Sequence, residues 1–325
     1  MSFSFVNKIF QSQTDFNVLA KELFIYQYSH NKIYKAWCDN LNIKSEISDI
    51  TKIPFLPISL FKTDKVICND ANDYALYFES SGTMQANKSR HYVKDLNLYK
   101  QSFITCFEKF YGSVKDWCII GLLPSYLQQK HSSLITMVDE LIKLSTHDES
   151  GFYLDEYEKL HSVLHCLESN KQKTLLIGVT YALLDFADKF PLKLYSTTIM
   201  ETGGMKGRRE ELTRNEVHDI LKKQFQIKQV HSEYGMTELL SQAYAKRDGI
   251  FNCPSWMKIF IRDEDDPLLI NEKGKGALNI IDLANANSCA FIATDDAGEI
   301  FDDGSFAVYG RLDGSDIRGC SLMVV

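Results

Sequence analysis

Short apolar runs alternate along the chain with segments whose apolar residues recur at helical spacing. Residues 134–142 and 157–167 carry apolar side chains three and four positions apart, which predicts amphipathic helices. Apolar runs bounded by turn residues predict buried strands at 74–78, 117–123, 174–179 and 194–200. Strands that alternate with helices predict an α/β fold with a largely parallel sheet flanked by helices.

The two ends of the sequence depart from this alternation. Residues 1–70 mix helical and irregular segments. Within the alternating part, residues 213–216 have the spacing of a capping box, which predicts the start of a helix there. After residue 250, short apolar runs joined by Gly and Asp turns predict strands at 257–261, 277–281, 289–294 and 306–309. We therefore predict an α/β body over 1–250 with a helical portion over 1–70, a β-rich subdomain of the same body over 251–310, and a tail over 311–325.

Composition narrows the class of protein. The 325 residues are 45% hydrophobic, which allows a sizeable core, and the net charge of −7 makes nucleic acid an unexpected partner. We find no segment with the length of a signal peptide or a membrane span, so we expect a cytoplasmic protein with no membrane span. The eight cysteines form no C-x-x-C pair, which argues against a zinc cluster and a disulfide framework.

The first stretch that suggests chemistry is Ser80-Ser81-Gly82-Thr83, which follows the first predicted strand. Small residues whose backbone N–H groups turn to one side form an anion-binding nest, and Lys88 can reach the same phosphate. The spacing is not that of a Walker loop. Because a solvated loop has the same composition, the stretch alone leaves both interpretations open.

Two more stretches stand where predicted strands end. At Gly203-Gly204-Met205, paired glycines allow a flat ring or a phosphate to approach the backbone, and a tight turn is an equally good interpretation. Tyr234-Gly235-Met236-Thr237-Glu238 offers a ring to stack on a base, a hydroxyl for a phosphate and a carboxylate for Mg²⁺. A solvated helix start is the alternative for this second stretch.

The last stretch contains Asp296, after the predicted strand 289–294, and Arg311. A carboxylate in such a position can accept hydrogen bonds from both hydroxyls of a ribose, and a nearby guanidinium can support the sugar or a phosphate oxygen. On their own, the Asp-Asp-Gly repeats of this region are typical of hairpin turns.

The order of these stretches resembles that of the AMP-forming superfamily of acyl-CoA synthetases, adenylation domains and luciferases. The resemblance spans residues 77–320, and its most specific parts are Tyr-Gly-x-Thr-Glu at 234–238 and Gly-Arg-x-Asp at 310–313. It implies the large N-terminal body of an adenylate-forming enzyme, with flanked parallel and mixed sheets, a carboxylic acid substrate, and ATP and Mg²⁺ as cofactors.

The resemblance also implies a role for each matching residue. Ser80, Ser81, Gly82, Thr83 and Lys88 correspond to the phosphate loop, and Gly203, Gly204 and Met205 to the adenine-binding turn. In the later motifs, Tyr234 corresponds to the residue beside the adenine with Gly235 and Met236 next to it, Thr237 to a phosphate contact, Glu238 to the magnesium ligand, Asp296 to the ribose clamp and Arg311 to its partner at the hinge.

The sequence differs from the superfamily pattern in two places. The usual second Thr, Gly and Pro of the phosphate loop are Met84, Gln85 and Asn87. After Arg311 only a short tail follows, where the superfamily has a C-terminal lid of roughly a hundred residues, so we expect the lid to be absent.

A body of this kind with Cys320 shortly after the hinge resembles the acyl-protein synthetases of the bacterial luminescence (LuxE-like) type, as do residues 123–126 and 203–208. This resemblance implies an enzyme that activates a fatty acid as acyl-AMP and transfers the acyl group to its own cysteine, for delivery to a partner such as a reductase or carrier protein. The catalytic residues are then Cys320, Glu238, Thr237 and Lys88.

Three alternatives stay open at this point. An adenylating enzyme can hand its acyl group to CoA or to a carrier protein, as acyl- and aryl-CoA ligases do, without using Cys320. The altered phosphate loop is also compatible with a nucleotide-binding relative that no longer catalyses. The third alternative is an unrelated α/β enzyme such as a hydrolase, although the chain has no Gly-x-Ser-x-Gly elbow.

Overall fold

A computed structural model describes residues 3–11, 14–70, 72–81, 88–124, 129–154, 156–203, 212–263 and 265–312. Its helices are α1 (Phe3–Ile9), α2 (Phe16–His30), α3 (Lys32–Asn40), α4 (Leu60–Thr63), α5 (Leu96–Tyr111), α6 (Ser133–Ser145), α7 (Tyr157–Ser169), α8 (Thr180–Lys189) and α9 (Arg214–Phe225). Its strands are β1 (Leu56–Pro57), β2 (Leu76–Glu79), β3 (Arg90–Val93), β4 (Cys118–Leu122), β5 (Gly151–Phe152), β6 (Thr174–Val179), β7 (Thr197–Thr202), β8 (His231–Tyr234), β9 (Ala243–Ala245), β10 (Ile250–Asn252), β11 (Met257–Arg262), β12 (Ile270–Asn271), β13 (Gly274–Asp282), β14 (Phe291–Ile300) and β15 (Phe306–Arg311).

The first half of the large sheet is parallel, as the alternation of strands and helices predicts. Strands β5, β4, β6, β7 and β8 lie side by side in that order, and each neighbouring pair is parallel. Every residue of β4 and β6 is buried, because helices cover both faces of a parallel sheet and favour continuous apolar runs. The carboxyl ends of these strands therefore meet at one edge of the sheet.

The second half of the same sheet is mostly antiparallel. After β8 the strand order continues β9, β10, β15, β14, β13, β11 and β12, and β1 adds a short parallel pairing to β14. The sheet is continuous across the predicted boundary at residue 250, since β8 pairs with β9 and β9 with β10. One continuous sheet thus contains the strands of both the α/β part and the β-rich part.

A separate two-stranded antiparallel sheet consists of β2 and β3. The prediction of a buried strand at 74–78 is wrong in its burial, because β2 begins at Leu76 and only Phe78 of its residues is buried. Phe78 packs its ring against Tyr99 of α5, with the ring centroids 5.2 Å apart, while the other face of the hairpin stays partly exposed. The hairpin flanks residues 82–87, which lie outside the described part of the chain.

The predicted helix start at Thr213 is confirmed, whereas the strand predicted at 194–200 has different bounds. The capping box at Thr213 is confirmed: its side chain accepts a hydrogen bond from the Glu216 N–H, and the Glu216 carboxylate accepts one from the Thr213 N–H. The strand predicted at 194–200 is instead Thr197–Thr202. The preceding N–H groups of Tyr195 and Ser196 donate to the Glu168 carboxylate of α7, so helix α7 helps to hold the segment before the strand.

Helix α2 is attached to a loop from far along the chain. The buried Gln27 side chain donates to the carbonyl of Asn285 at 2.8 Å and accepts the N–H of Ala290 at 2.9 Å. Asn31, also buried, donates to the carbonyl of Ser288 at 3.0 Å. In the described segments, no helix has the length and apolarity that crossing a bilayer requires.

Candidate functional site

The adenine-side residues follow two neighbouring parallel strands. Thr202 of β7 lies opposite Glu233 of β8, so Gly203 and Tyr234 come next along these strands at the same edge of the sheet. Gly203 has a φ of 70°, a conformation that glycine adopts without strain, and its carbonyl accepts the Thr180 hydroxyl at 3.3 Å. Of the predicted adenine turn, Gly204 and Met205 lie outside the described residues.

Tyr234, Asp296 and Arg311 are brought together although they are distant in the sequence. The Tyr234 hydroxyl donates to Asp296 Oδ2 at 2.8 Å, and Arg311 Nε lies 3.6 Å from Asp296 Oδ1. Asp296 and Arg311 face each other because β14 and β15 place them opposite in register. Burial, together with the Asp296 charge, raises the pKa of Tyr234 well above its ordinary value, so its hydroxyl stays protonated and donates.

The strand that carries Asp296 is longer than the sequence predicts. The run 289–294 is the buried start of β14, which continues to Ile300 and includes Asp296. The hairpin-turn interpretation of Asp296 is therefore wrong. Its N–H donates to the Thr294 hydroxyl at 3.1 Å, and its carboxylate side faces Tyr234.

The turn after β8 contains the predicted phosphate contact and metal ligand. Gly235 is exposed, Met236 and Thr237 are partly buried, and Glu238 is fully buried. The turn is closed by a bond from the Leu239 N–H to the Met236 carbonyl at 3.1 Å. The Glu238 carbonyl accepts a hydrogen bond from the Asn285 side chain at 2.7 Å, which fixes the backbone at this residue.

The residues that follow this turn are held by a buried carboxylate that the sequence analysis missed. Asp282 accepts the N–H groups of Leu240 at 2.8 Å and Ser241 at 3.0 Å, and the Ser241 hydroxyl at 2.6 Å. Burial raises the pKa of Asp282 to about 6, although these hydrogen bonds oppose the shift. Asp282 therefore fixes the chain that leads away from Glu238.

The predicted phosphate loop is flanked by the β2–β3 hairpin. Ser80 is buried, its N–H donates to the Ser89 carbonyl at 3.0 Å, and its hydroxyl accepts the Ser89 N–H at 3.0 Å. These two bonds close the hairpin beside the loop. The N–H and the hydroxyl of Ser80 therefore both form hydrogen bonds within the hairpin. Ser81 is exposed, and Gly82 and Thr83 lie outside the described residues.

Lys88 forms an ion pair with Glu79, an acid to which the sequence analysis assigned no role. Lys88 Nζ lies 2.9 Å from Glu79 Oε2, and Arg90 Nε lies 3.1 Å from Glu79 Oε1. The hydrogen bonds from Lys88 and Arg90 hold the pKa of Glu79 below its ordinary range. The register of the hairpin, in which Glu79 lies opposite Arg90, is the signal that would have revealed the cluster.

The hairpin and the turn after β8 are joined by His91 of β3. Its Nδ1 lies 2.9 Å from the carbonyl oxygen of Thr237. The structure thus connects the element that bears Lys88 to the element that bears Thr237 and Glu238.

Two more acids lie at the carboxyl ends of β7 and β8. Glu201 is buried beside Arg214 at 3.2 Å and His218 at 3.7 Å. Burial alone would raise the pKa of Glu201, but His218 and Arg214 hold it below its ordinary value. Glu233 accepts the Thr202 hydroxyl at 2.5 Å, and burial raises its pKa to about 7. The sequence analysis assigned no role to either acid.

Part of the predicted site is not described. Cys320, the predicted acyl acceptor, lies outside the described residues, as do the phosphate-loop and adenine-turn residues already named. Among the described residues, no group of three or more His, Cys, Asp or Glu side chains is arranged to hold a metal ion.

Comparison with protein families finds one that matches nearly the whole chain. The family model described as "Acyl-protein synthetase, LuxE" matches residues 7–325. The long-chain-fatty-acid–luciferin-component ligase of Aliivibrio fischeri is 23% identical over 336 residues, covering 94% of this chain and 86% of that protein. The protein of the same name from Vibrio harveyi is 22% identical over 343 residues, covering 94% of this chain and 85% of that protein.

Comparison with solved structures adds a likeness of fold. The ATP-bound MatB from Rhodopseudomonas palustris is similar with a TM-score of 0.55 at 14% identity, over 75% of this chain and 49% of that one. The chain therefore spans about half the length of this solved structure.

Proposed function

The chain belongs to the acyl-protein synthetase family LuxE, and from this premise we propose that it joins a long-chain fatty acid to AMP and passes the acyl group to a thiol. The chain is an enzyme of the ligase class, with the fold of the N-terminal body of adenylate-forming enzymes. The acyl acceptor that we propose is its own Cys320, from which the acyl group moves to a partner protein. ATP supplies the AMP.

The contacts among Tyr234, Asp296 and Arg311 are the observation that carries this proposal. A carboxylate held between a phenol and a guanidinium is oriented to accept the hydroxyls of a ribose. The Tyr234 ring, supported by Phe251 and Phe306, offers a fixed face for a flat base. Gly203 on the neighbouring strand lets such a base approach the backbone.

The triphosphate would then extend toward the turn after β8 and the β2–β3 hairpin. Lys88 and Arg90 supply positive charge on the hairpin, and the Thr237 hydroxyl supplies a donor on the turn. Mg²⁺ takes one or two carboxylates plus substrate phosphates, so the Glu238 carboxylate would be a sufficient protein ligand for an ion that arrives on the nucleotide. When bound through Glu238, Mg²⁺ would neutralise charge on the phosphates.

The proposed reaction has two steps. In the first, an oxygen of the fatty carboxylate bonds to the α-phosphorus of ATP, the bond to pyrophosphate breaks, and acyl-AMP forms. In the second, the Cys320 sulfur bonds to the acyl carbon, the bond from that carbon to the AMP oxygen breaks, and the thiol proton is released to solvent. Lys88 stabilises the negative charge that develops on the phosphates in the first step.

The first step is tested by carboxylate-dependent ATP–pyrophosphate exchange with a series of fatty acids of increasing length. We expect exchange with long-chain acids and none without an acid. Absence of exchange with every acid would contradict the proposal and favour the nucleotide-binding alternative.

The second step is tested with radiolabelled fatty acid and ATP, followed by denaturing electrophoresis. We expect the unmodified protein to retain label that hydroxylamine removes, and Cys320→Ser to retain none while its exchange activity is unchanged. Cys166→Ser is the matched control, because Cys166 is an exposed thiol on α7, far from this chemistry in the sequence, and we expect it to retain the label. Label on Cys320→Ser, or transfer to free CoA instead of the protein, would overturn self-acylation and leave the first step standing.

A further inference from the structure

His91 is a buried histidine that the proposed chemistry does not use. It lies in β3 opposite Phe78, it is fully buried, and its ring packs edge-on against Phe61 with the centroids 5.8 Å apart. Its Nδ1 bonds to the carbonyl of Thr237, 146 residues further along the chain. This bond therefore joins two elements that the chain brings together only in the folded state.

The chemistry of this bond fixes the form of the imidazole. A carbonyl oxygen only accepts, so Nδ1 carries the proton and Nε2 carries the lone pair. Burial lowers the pKa of His91 to about 4, so the ring is neutral. In the described part of the chain, Nε2 has no hydrogen-bond partner. Burying a nitrogen without a hydrogen-bond partner is unfavourable, and an apolar ring would fill the same space without this penalty. The bond to Thr237 is therefore the reason for a histidine at this position.

The two elements that His91 joins are each fixed by other contacts. On the hairpin side, Ser80 and Ser89 form two hydrogen bonds next to Lys88. On the turn side, Asn285 holds the carbonyl of Glu238 and Asp282 holds the residues after it. His91 therefore connects one rigid unit to another at the residue that precedes Glu238.

We propose that His91 is a positioning residue that sets the spacing between Lys88 and the Thr237–Glu238 turn, so that both reach the triphosphate of one nucleotide. This inference rests on the proposed function and adds a residue to it. His91 acts through the Thr237 carbonyl and touches neither the nucleotide nor the acid. The effect of removing it should appear in the handling of ATP and leave the handling of the fatty acid unchanged.

The test compares two substitutions of His91. In His91→Asn the side-chain amide nitrogen takes the place of Nδ1 and can still donate to Thr237, whereas His91→Leu fills a similar volume and donates nothing. We expect Leu to weaken binding of MgATP, measured by calorimetry, and to raise the KM for ATP, each by roughly tenfold, because it leaves a buried carbonyl without its donor. We expect Asn to stay within about threefold of the unmodified protein and the KM for the fatty acid to be unchanged in both.

Several outcomes would overturn the inference. If Leu and Asn weaken MgATP binding equally and lower the melting temperature equally, His91 serves packing alone. If Leu leaves MgATP binding unchanged, the bond to Thr237 does not position the turn. If His91→Leu does not fold, His91→Gln replaces it, since its amide nitrogen lies one carbon too far from Thr237, and an unaltered affinity in this variant also contradicts the inference.

A failure of the proposed function can be distinguished from a failure of the inference about His91. If the unmodified protein binds MgATP but shows no exchange with any acid, the proposed reaction fails while the calorimetric comparison of the His91 variants still decides the inference. If the unmodified protein does not bind MgATP, both fail.

Discussion

The two sides of the proposed nucleotide site are built in different ways. The nucleoside side, consisting of Tyr234, Asp296 and Arg311, stands on strands of the large sheet, and the side chains of Asp296 and Arg311 are each 13% exposed. The phosphate side, consisting of Glu79, Lys88 and Arg90, stands on the separate β2–β3 hairpin, and its two cations are 44% and 52% exposed. The same kinds of charged groups therefore occupy two very different environments.

This difference predicts different responses to mutation and to solution conditions. Charges with little solvent around them interact strongly and are costly to leave unpaired, whereas exposed ion pairs contribute little and are screened by salt. We expect the nucleoside side, and the acids Glu201 and Glu233 at the carboxyl ends of β7 and β8, to respond to pH and to loss of a partner. The phosphate side should respond mildly, and mainly to ionic strength.

The largest effect is expected from breaking the buried pair at the end of β7. Arg214→Met leaves the Glu201 carboxylate buried without its guanidinium partner, so we expect the free energy of unfolding to fall by about 3 kcal/mol, measured by urea denaturation. The control is Lys222→Met on the same helix, whose partner Asp219 is 78% exposed, and it should change stability by less than about 0.5 kcal/mol. Equal effects of the two changes would remove the contrast between buried and exposed pairs.

The nucleoside side itself is tested by Asp296→Ala. The change removes the acceptor of the Tyr234 hydroxyl and the charge partner of Arg311, so we expect the KM for ATP to rise by roughly 30-fold in the exchange assay. Glu299→Ala on the same strand removes an acceptor that serves the exposed Tyr309, and it should leave this KM within about twofold. An unchanged KM in Asp296→Ala would exclude Asp296 as a ribose contact.

The pH response of the sheet ends is tested with Glu233→Gln. The folded pKa of Glu233, about 7, lies above its reference value of 4.5, so the folded state holds a proton that the unfolded state has lost between these values. Stability from this group therefore falls as the pH rises from about 4.5 to about 7, and glutamine does not titrate. We expect the variant to gain on the unmodified protein across this interval and the difference between them to level off above about pH 7, measured by urea denaturation. A difference that does not vary with pH would contradict this.

The smallest effect is expected on the phosphate side. Glu79→Gln releases Lys88 and Arg90 from their shared carboxylate, so we expect MgATP to bind about two- to threefold more tightly at low salt, with the gain lost at high salt. Glu272→Gln breaks the pair with Lys258 elsewhere on the surface and serves as the control without effect on ATP. Weaker binding in Glu79→Gln would show that Glu79 orders the hairpin instead of competing with the phosphates.

The same contrast separates what the sequence predicted from what it did not. Strands β4 and β6 were predictable because each is a continuous local apolar run, and β6 was predicted with the observed bounds. Tyr234, Asp296 and Arg311 were predicted as site residues because they lie in motifs whose order resembles a known superfamily. Their contact depends on the pairing of β14 with β15, which no local pattern of this chain reveals.

The phosphate side was harder to predict for a physical reason. Strand β3 is only Arg90–Val93, too short for its alternation to stand out, so neither the pair Glu79–Arg90 nor the bond of His91 to Thr237 was anticipated. The acids Glu201 and Glu233 were missed because charged residues are expected at the surface. Their partners Arg214 and Thr202 come from other elements of the fold, so the compensation is visible only in three dimensions.

The attachment of helix α2 to residues 285–290 has a consequence for biosynthesis. Gln27 and its partner Asn285 are separated by 258 positions in the chain, and β1 likewise pairs with β14. At translation rates of about 5 to 20 residues per second, the ribosome needs roughly ten to fifty seconds to make the second partner after the first. During that time the apolar faces of the emerging N-terminal helices have no docking surface, so we expect the nascent chain to depend on holding chaperones until β14 has left the exit tunnel.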